Sequence, residues 1–293
     1  MRRTIGDLKA YKERSEKFAM ITAYDYPSAR LVDEAGIPII LVGDTLGMVV
    51  LGYDSTIPVT LEDIIHHARA VVRGAPNAII VADMPFMSYQ VSPDEALRNA
   101  GRLIQETGAT AVKLEGGAAM APTVSRIVQA GIPVMGHVGL TPQSVNQLGG
   151  YKLQGTTPRA AVQILTDAAA LQEAGAFSVV LETIPARLGT LVSKRLTIPT
   201  IGIGAGPGCD GQVQVFHDML GLFDAFKPRH ARRYAELGAQ IREATARYIE
   251  DVRSGEFPGE AESFKVSPAK LRDVETMVYP GLAPSQAARE VAE

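Results

Sequence analysis

The chain has 293 residues, 46% of them hydrophobic and 21% charged, which is the mixture of a soluble globular protein and not of a disordered one. A formal net charge of -3, with no dense Lys/Arg block, argues against a nucleic-acid groove or a membrane-surface patch. Cys209 is the only cysteine, so no intramolecular disulfide can form and a reducing compartment is permitted.

The amino-terminal stretch "MRRTIGDLKAYKERSEKF" has no apolar core behind its arginines and does not read as a secretory signal. The first strand-like run is "FAMITAY" (18–24), followed by a helical pattern "SARLVDEAG" with Ser28 as its cap and Gly36 as its stop. "IPIILVG" (37–43) opens the most apolar part of the chain. Pro38, three glycines and Asp44 interrupt that part, so a buried strand and loop fit it better than a membrane span. "LEDIIHHARAVVRG" (61–74) is a helix capped by Thr60, and "AIIVAD" (78–83) is the third strand. "SPDEALRNAGRLIQETG" (92–108) has Ser92 as cap, Pro93 at the first helical position and Gly108 as stop. "AVKLE" (111–115) and "IPVMGH" (132–137) follow. Then come a helix over "TPRAAVQILTDAAALQEAG" (157–175) and the runs "FSVVLE" (177–182), "IPTIGIG" (198–204) and "VQVFHD" (213–218). The stretch "KPRHARRYAELGAQIREATARYIEDVRSG" (227–255) reads as one long helix.

Eight strands, most of them near-continuously apolar and separated by helices, predict a closed parallel (β/α)8 barrel, with a doubly wound open sheet as the main rival. The barrel domain is expected over 1–264, with a carboxyl-terminal tail, helical in part, over 265–293. In that tail Leu271, Val274 and Val278 recur at helical spacing, and "SPAKLRDVETMV" is expected to form a helix on an assembly surface. A cytoplasmic location is expected.

"GPGCDG" (206–211) fits G-x-G-x-x-G through Gly206, Gly208 and Gly211. A dinucleotide site needs a helix to begin at those glycines. Here "QVQV" follows, with strand spacing, so the match fails its context and tight turns explain the glycines better.

Chemistry gathers at the strand ends. The second run leads into Asp44 and the third ends in Asp83. The fourth carries Lys113 and Glu115, two apart and so on one face; the fifth ends in His137 and the sixth in Glu182. In a barrel these positions meet at the carboxyl-terminal mouth, where active sites of this fold lie. Four carboxylates cannot crowd without compensation: two charges about 4 Å apart repel by about 4 kcal/mol at an effective dielectric near 20. Lys113 and His137 offset part of that, and a hard divalent cation such as Mg2+ would offset the rest. A 2-oxo acid chelates such an ion, which would stabilise an enolate while a remaining carboxylate takes the neighbouring proton. Each residue also has a plainer explanation. Asp44 or Asp83 could cap a turn, Lys113 and Glu115 could be a structural ion pair, and His137 could be a core histidine. His66 and His67 are consecutive on a helix and make a poor metal pair. Asp25 suits a turn, and Cys209 has no activating partner.

The blocks "ITAYDYPSA", "LVGDTLGMVVLGYDSTIPVT", "RGAPNAIIVADMPFMSY", "AVKLEGG", "PVMGHVGLTPQSVNQLGGYKLQG", "VVLETIPA" and "IPTIGIGAGPGCDGQ" run in order over about residues 4–264. On them the sequence resembles the ketopantoate hydroxymethyltransferase family. The resemblance implies a (β/α)8 TIM barrel of the phosphoenolpyruvate/pyruvate type, assembled as a homo-oligomer, commonly a decamer. It implies transfer of a hydroxymethyl group from 5,10-methylenetetrahydrofolate to 3-methyl-2-oxobutanoate, giving 2-dehydropantoate in pantothenate biosynthesis. By motif, Asp44 and Asp83 look like Mg2+ ligands and Glu115 like a third, direct or through water. Asp44, Thr45, Asp83, Lys113 and His137 look like substrate contacts, and Glu182 like the proton acceptor. The family usually has Ser where Thr45 stands, which keeps the hydroxyl and adds a methyl. The chain also continues past Phe264, near where many relatives stop.

Three other functions stand beside this one. A Mg2+-dependent 2-oxo-acid lyase or mutase of the same barrel superfamily would share the chemistry, but the catalytic cysteine typical of such enzymes is missing from the loops after "VKLEGG" and "GHVG". A silent barrel serving in assembly or binding would not need these charged residues together. A nucleotide-dependent enzyme is discounted by the glycine context.

Overall fold

The computed structural model describes residues 2–223 and 228–278. Its strands are β1 (Phe18–Thr22), β2 (Ile39–Val42), β3 (Ile79–Asp83), β4 (Ala111–Lys113), β5 (Val134–Gly139), β6 (Ser178–Glu182), β7 (Thr200–Ile203) and β8 (Gly211–Gln214). Each pairs in parallel with its successor, and β8 pairs with β1, so the sheet closes in sequential order. The order never reverses, which rules out the doubly wound alternative.

Closure explains why the strands are apolar without alternation: both faces are covered. Ile39 and Leu41, Ile79 and Val81, Met135, Val180 and Ile201 belong to the cluster inside the barrel. The residues between them, such as Ile40, Val42, Ile80 and Val179, pack in the layer between sheet and helices. Leu8, on the helix Ile5–Glu13, joins the interior cluster.

Most expected helices form with their expected caps. Thr60 and Asp63 make a capping box at the start of Leu61–Gly74. Ser92 accepts from the Glu95 N–H, and Gly108 ends that helix at φ 78°. Thr157 caps Pro158–Glu173. Three expectations need correction. The helix after β1 spans Tyr26–Glu34, and its cap is Asp25, whose carboxylate accepts from the Ser28 N–H at 2.7 Å. The eighth strand lies two residues earlier than expected, because Gly211 can sit opposite Phe18, where a Cβ would come within 2.5 Å of the ring. Its expected end instead forms the short helix Phe216–Leu220. Of the described residues in the stretch 227–255, only Leu237–Ser254 are helical. Upstream, the Arg232 N–H donates to Gln214 Oε1 and the Tyr234 N–H to the Met219 carbonyl, both at 2.8 Å, so these groups are not free for a helical ladder.

The chain divides into two compact units, Met1–Glu236 and Leu237–Glu293. The first holds the barrel; the division falls inside the segment 1–264. The second contains Leu237–Ser254 and the helix Pro268–Val278, which covers the tail segment expected to be helical. Residues 279–293 of that tail lie outside the described residues. Among the described residues no helix is long and apolar enough to cross a membrane.

Candidate active site at the carboxyl rim of the barrel

Strand parity aims most of the site. On β3 the inward series Ile79, Val81 continues to Asp83; on β4, Ala111 continues to Lys113 and then Glu115; on β5, Met135 continues to His137; on β6, Val180 continues to Glu182. The last inward residue of each series is polar and stands at the carboxyl end. Asp44 breaks this pattern. Parity on β2 would give Gly43, and Asp44 reaches the site from the turn beyond, its N–H donating to Asp83 Oδ2 at 3.1 Å. Asp44, Thr45, Asp83, Lys113, Glu115, His137 and Glu182 all line one inner cavity of about 50 Å3. The fold therefore brings together every site residue named from the sequence.

The charges interlock. Lys113 Nζ donates to both Asp83 oxygens, at 2.7 and 2.9 Å, and lies 3.9 Å from Glu115 Oε1. Burial works against the Lys113 ammonium, but Asp83, Glu115 and Asp44 hold it above the ordinary lysine value. His137 stands between two carboxylates, with Nδ1 3.5 Å from Glu115 Oε1 and Nε2 3.2 Å from Glu182 Oε2. These are ion-pair distances without hydrogen-bond alignment, since neither ring nitrogen has a hydrogen-bond partner. Burial lowers the His137 pKa, yet Glu115 and Glu182 outweigh it and raise it to about 9. Burial pushes Glu115 up, but His137, Lys113 and the Gln143 N–H together hold it below the ordinary glutamate value. Asp44 moves the other way: burial, then repulsion from Asp83 and Glu115, push it well up. Burial also raises Asp83, against the pull of Lys113.

Sequence reasoning missed two residues at this rim. Gln143, on the turn after β5, donates through Nε2 to Asp44 Oδ2 at 2.8 Å, and its N–H donates to Glu115 Oε2 at 3.0 Å. The Tyr89 hydroxyl donates to Gln143 Oε1 at 2.7 Å. Both come from loops, where no periodicity singles out a position; the only signal for Gln143 was its place inside the "GLTPQSVNQ" block. A second, outer cavity of about 340 Å3 shares Thr45, Pro142, Glu182, Ile203 and Val215 with the inner one. Its further walls include Met48, Val49, Leu140, Tyr151 and Asp218.

The donor set suits a hard cation. Four carboxyl groups face two cationic side chains, and the two aspartates are pushed toward protonation by burial and by Glu115, Asp44 by Asp83 as well, a condition a bound divalent ion relieves. Among the described residues no three His, Cys, Asp or Glu side chains stand ready as a metal cluster. Asp44 and Asp83 are the pair that fits, while Glu115 is turned to His137, Lys113 and Gln143.

The remaining motifs have structural explanations. The "GPGCDG" loop joins β7 to β8, and no helix starts there. A Cβ on Gly206 would meet Ala186 at 2.3 Å, and one on Gly208 would meet Thr190 Oγ1 at 2.1 Å, so these glycines let the loop lie against the helix Ala186–Arg195. His67 Nδ1 bonds the Tyr24 carbonyl at 2.6 Å. Cys209 is buried, and burial raises its thiol pKa.

A closed parallel barrel with converging acids, a lysine and a histidine at its carboxyl rim defines an enzyme of the (β/α)8 class. Solved structures share the fold. A phosphonopyruvate hydrolase complexed with oxalate and Mg++ aligns at TM-score 0.57 and 11% identity, over 94% of this chain and 98% of that one. A 2,3-dimethylmalate lyase of the PEP mutase/isocitrate lyase superfamily aligns at TM-score 0.55 and 18% identity, over 95% and 96%. The chain belongs to the ketopantoate hydroxymethyltransferase family, whose model matches residues 2–260. A 3-methyl-2-oxobutanoate hydroxymethyltransferase of Chloroflexus aurantiacus is 59% identical over 92% of this chain and 96% of its own length. Its namesake in Dehalococcoides mccartyi is 58% identical over 95% and 99%.

Proposed function

We propose that this chain transfers a hydroxymethyl group from 5,10-methylenetetrahydrofolate to 3-methyl-2-oxobutanoate, forming 2-dehydropantoate for pantothenate biosynthesis. One observation carries this: in a chain of this family, Glu182 faces the same small cavity as Lys113, Asp44 and Asp83. That cavity suits a short branched oxo acid.

The C3–H bond of the oxo acid is weakened by the neighbouring carbonyl. Glu182 takes the C3 proton, and the bonding pair moves toward the carbonyl oxygen as an enolate. Lys113 faces the negative charge that develops. His137, 3.2 Å from Glu182, balances the charge of the base. Asp44 and Asp83 would hold Mg2+, with Glu115 as a third ligand, direct or through a water, and the ion when bound would supply a Lewis acid for the substrate's oxygens. C3 then bonds the methylene carbon as its two C–N bonds to the folate break; one water supplies the new hydroxyl, and its remaining proton and the one taken by Glu182 go to the two folate nitrogens of the departing tetrahydrofolate. The outer cavity, with Met48, Val49, Leu140 and Tyr151 on its walls, suits the flat, bulkier folate ring system.

Product formation tests this directly. Purified protein with both substrates and Mg2+ should yield 2-dehydropantoate by mass spectrometry, and omission of the folate should abolish it. No product under complete conditions would overturn the assignment. The chain is further proposed to act in the cytoplasm as a homo-oligomer, with a decamer expected in sedimentation velocity. Truncation after Phe264 tests whether the helix Pro268–Val278, which exposes Leu271, Val274 and Val278, contributes to assembly.

A further inference from the structure

Gln143 ties together two carboxylates that strand geometry would leave independent. Its Nε2 donates to Asp44 Oδ2 at 2.8 Å and to the Met84 carbonyl at 3.0 Å, and its backbone N–H donates to Glu115 Oε2 at 3.0 Å. On its other side, Oε1 accepts from the Tyr89 hydroxyl at 2.7 Å and from Gln90 Nε2 at 3.2 Å. The Tyr89 oxygen accepts in turn from the Glu115 N–H at 3.1 Å. A closed circuit therefore runs from the Glu115 backbone through Tyr89 and Gln143 back to the Glu115 carboxylate, with a branch to Asp44.

The circuit determines which way the amide points. The Glu115 N–H engages one lone pair of the Tyr89 oxygen and leaves its proton for Gln143 Oε1. A flipped amide would set its oxygen against the Asp44 carboxylate and the Met84 carbonyl, and its NH2 against that of Gln90. Gln143 is 4% exposed and Tyr89 2%, so solvent offers little substitute for lost partners. Pro142, at the first position of the 3-10 turn Pro142–Ser144, presets the backbone that aims the Gln143 N–H.

We infer that Gln143, locked in orientation by Tyr89, is a positioning residue that sets how Asp44 and Glu115 present themselves to a divalent cation. The inference rests on the proposal that these carboxylates serve a cation, Asp44 directly and Glu115 directly or through water. Gln143 takes one oxygen from each, and so restricts how the others can face the ion. Partners of this kind change metal affinity or activity by about 10–100-fold when removed.

The test uses the full chain and Mn2+ as the probe, with free Mn2+ read by electron paramagnetic resonance in the absence of substrates. Gln143→Leu removes both polar ends at similar size and should weaken Mn2+ binding about 10–100-fold. Tyr89→Phe removes one hydroxyl and should weaken it less, in the same direction. In C3 proton exchange, both variants should need more Mg2+ for half-maximal rate while the maximal rate stays within a few fold. A merely structural defect would lower the maximum and leave the midpoint in place. Affinities and midpoints within twofold of the parent in both variants would overturn the inference alone. A parent chain that binds no Mn2+ would overturn both the cation proposal and this inference. If Gln143→Leu fails to fold, Tyr89→Phe decides.

Discussion

Glu182 Oε2 and His137 Nε2 stand 3.2 Å apart on adjacent strands of the barrel rim. The register that pairs Gly139 with Glu182 sets His137 opposite Val180, so the two polar residues share the inner face two positions apart. The contact joins a candidate base to the one rim imidazole, whose pKa the flanking carboxylates raise to about 9 against the effect of burial.

Glu182→Gln keeps the shape of the side chain and removes its basicity. Solvent exchange of the C3 proton of 3-methyl-2-oxobutanoate, followed by proton NMR in D2O with Mg2+, should fall by about 10^2–10^4-fold. Binding of the oxo acid by calorimetry should change little. Exchange at the parent rate would remove Glu182 from the base role.

His137 links stability to pH. Its folded pKa is raised from 6.5 to about 9, so the folded state holds the proton more tightly than the unfolded chain does. That contribution is complete below pH 6.5 and fades as pH rises through about 9. In urea unfolding, the stability gap between parent and His137→Gln should shrink steadily from pH 6 to pH 10. A gap that widens over that range would contradict the sign.

Asp44 is buried beside Asp83 and Glu115, which push its pKa up. Asp44→Asn removes like-charge repulsion and should raise the melting temperature in EDTA. The parent should gain about 2.7 kcal/mol from Mg2+ at 100 times its dissociation constant, and the variant should gain almost nothing. Equal stabilisation of both by Mg2+ in differential scanning fluorimetry would take Asp44 out of the cation site.

Gly208 lies so close to the helix Ala186–Arg195 that a Cβ would come within 2.1 Å of Thr190 Oγ1. Gly208→Ala should cost about 1–3 kcal/mol of stability through overpacking. Gly208→Ala combined with Thr190→Ser, which removes the Thr190 methyl but keeps Oγ1, Cβ and Cα, should recover little of that, because those are the atoms the new Cβ meets, at 2.1, 2.8 and 2.9 Å. Gly208→Ala with Thr190→Ala, which removes that oxygen, should recover more. Equal recovery by the two pairs, measured by chemical denaturation, would argue against the packing role.

The inward ends of the strands were legible because strand parity is a local property. "IIVAD", "AVKLE", "PVMGH" and "SVVLE" each place a polar residue two steps after an apolar one, and the fold turns those four endings to one rim. The caps Thr60, Ser92 and Thr157 were legible for a similar reason, since a cap acts within one helical turn. Asp25 was less clear, because it and Ser28 are both good capping residues three positions apart and only the folded backbone chooses between them.

By itself the chain determined its first seven strands, most of its helix starts and the polar endings that would meet if the sheet closed, because these depend on interactions between near neighbours. Tertiary structure decided which apolar face was interior, since both faces of a covered strand look alike in sequence. It also brought Asp44 into the site from off the strand parity and set Gln143 between Asp44 and Glu115. Those contacts join residues 28 to 99 positions apart, and only the closed barrel determines such distances.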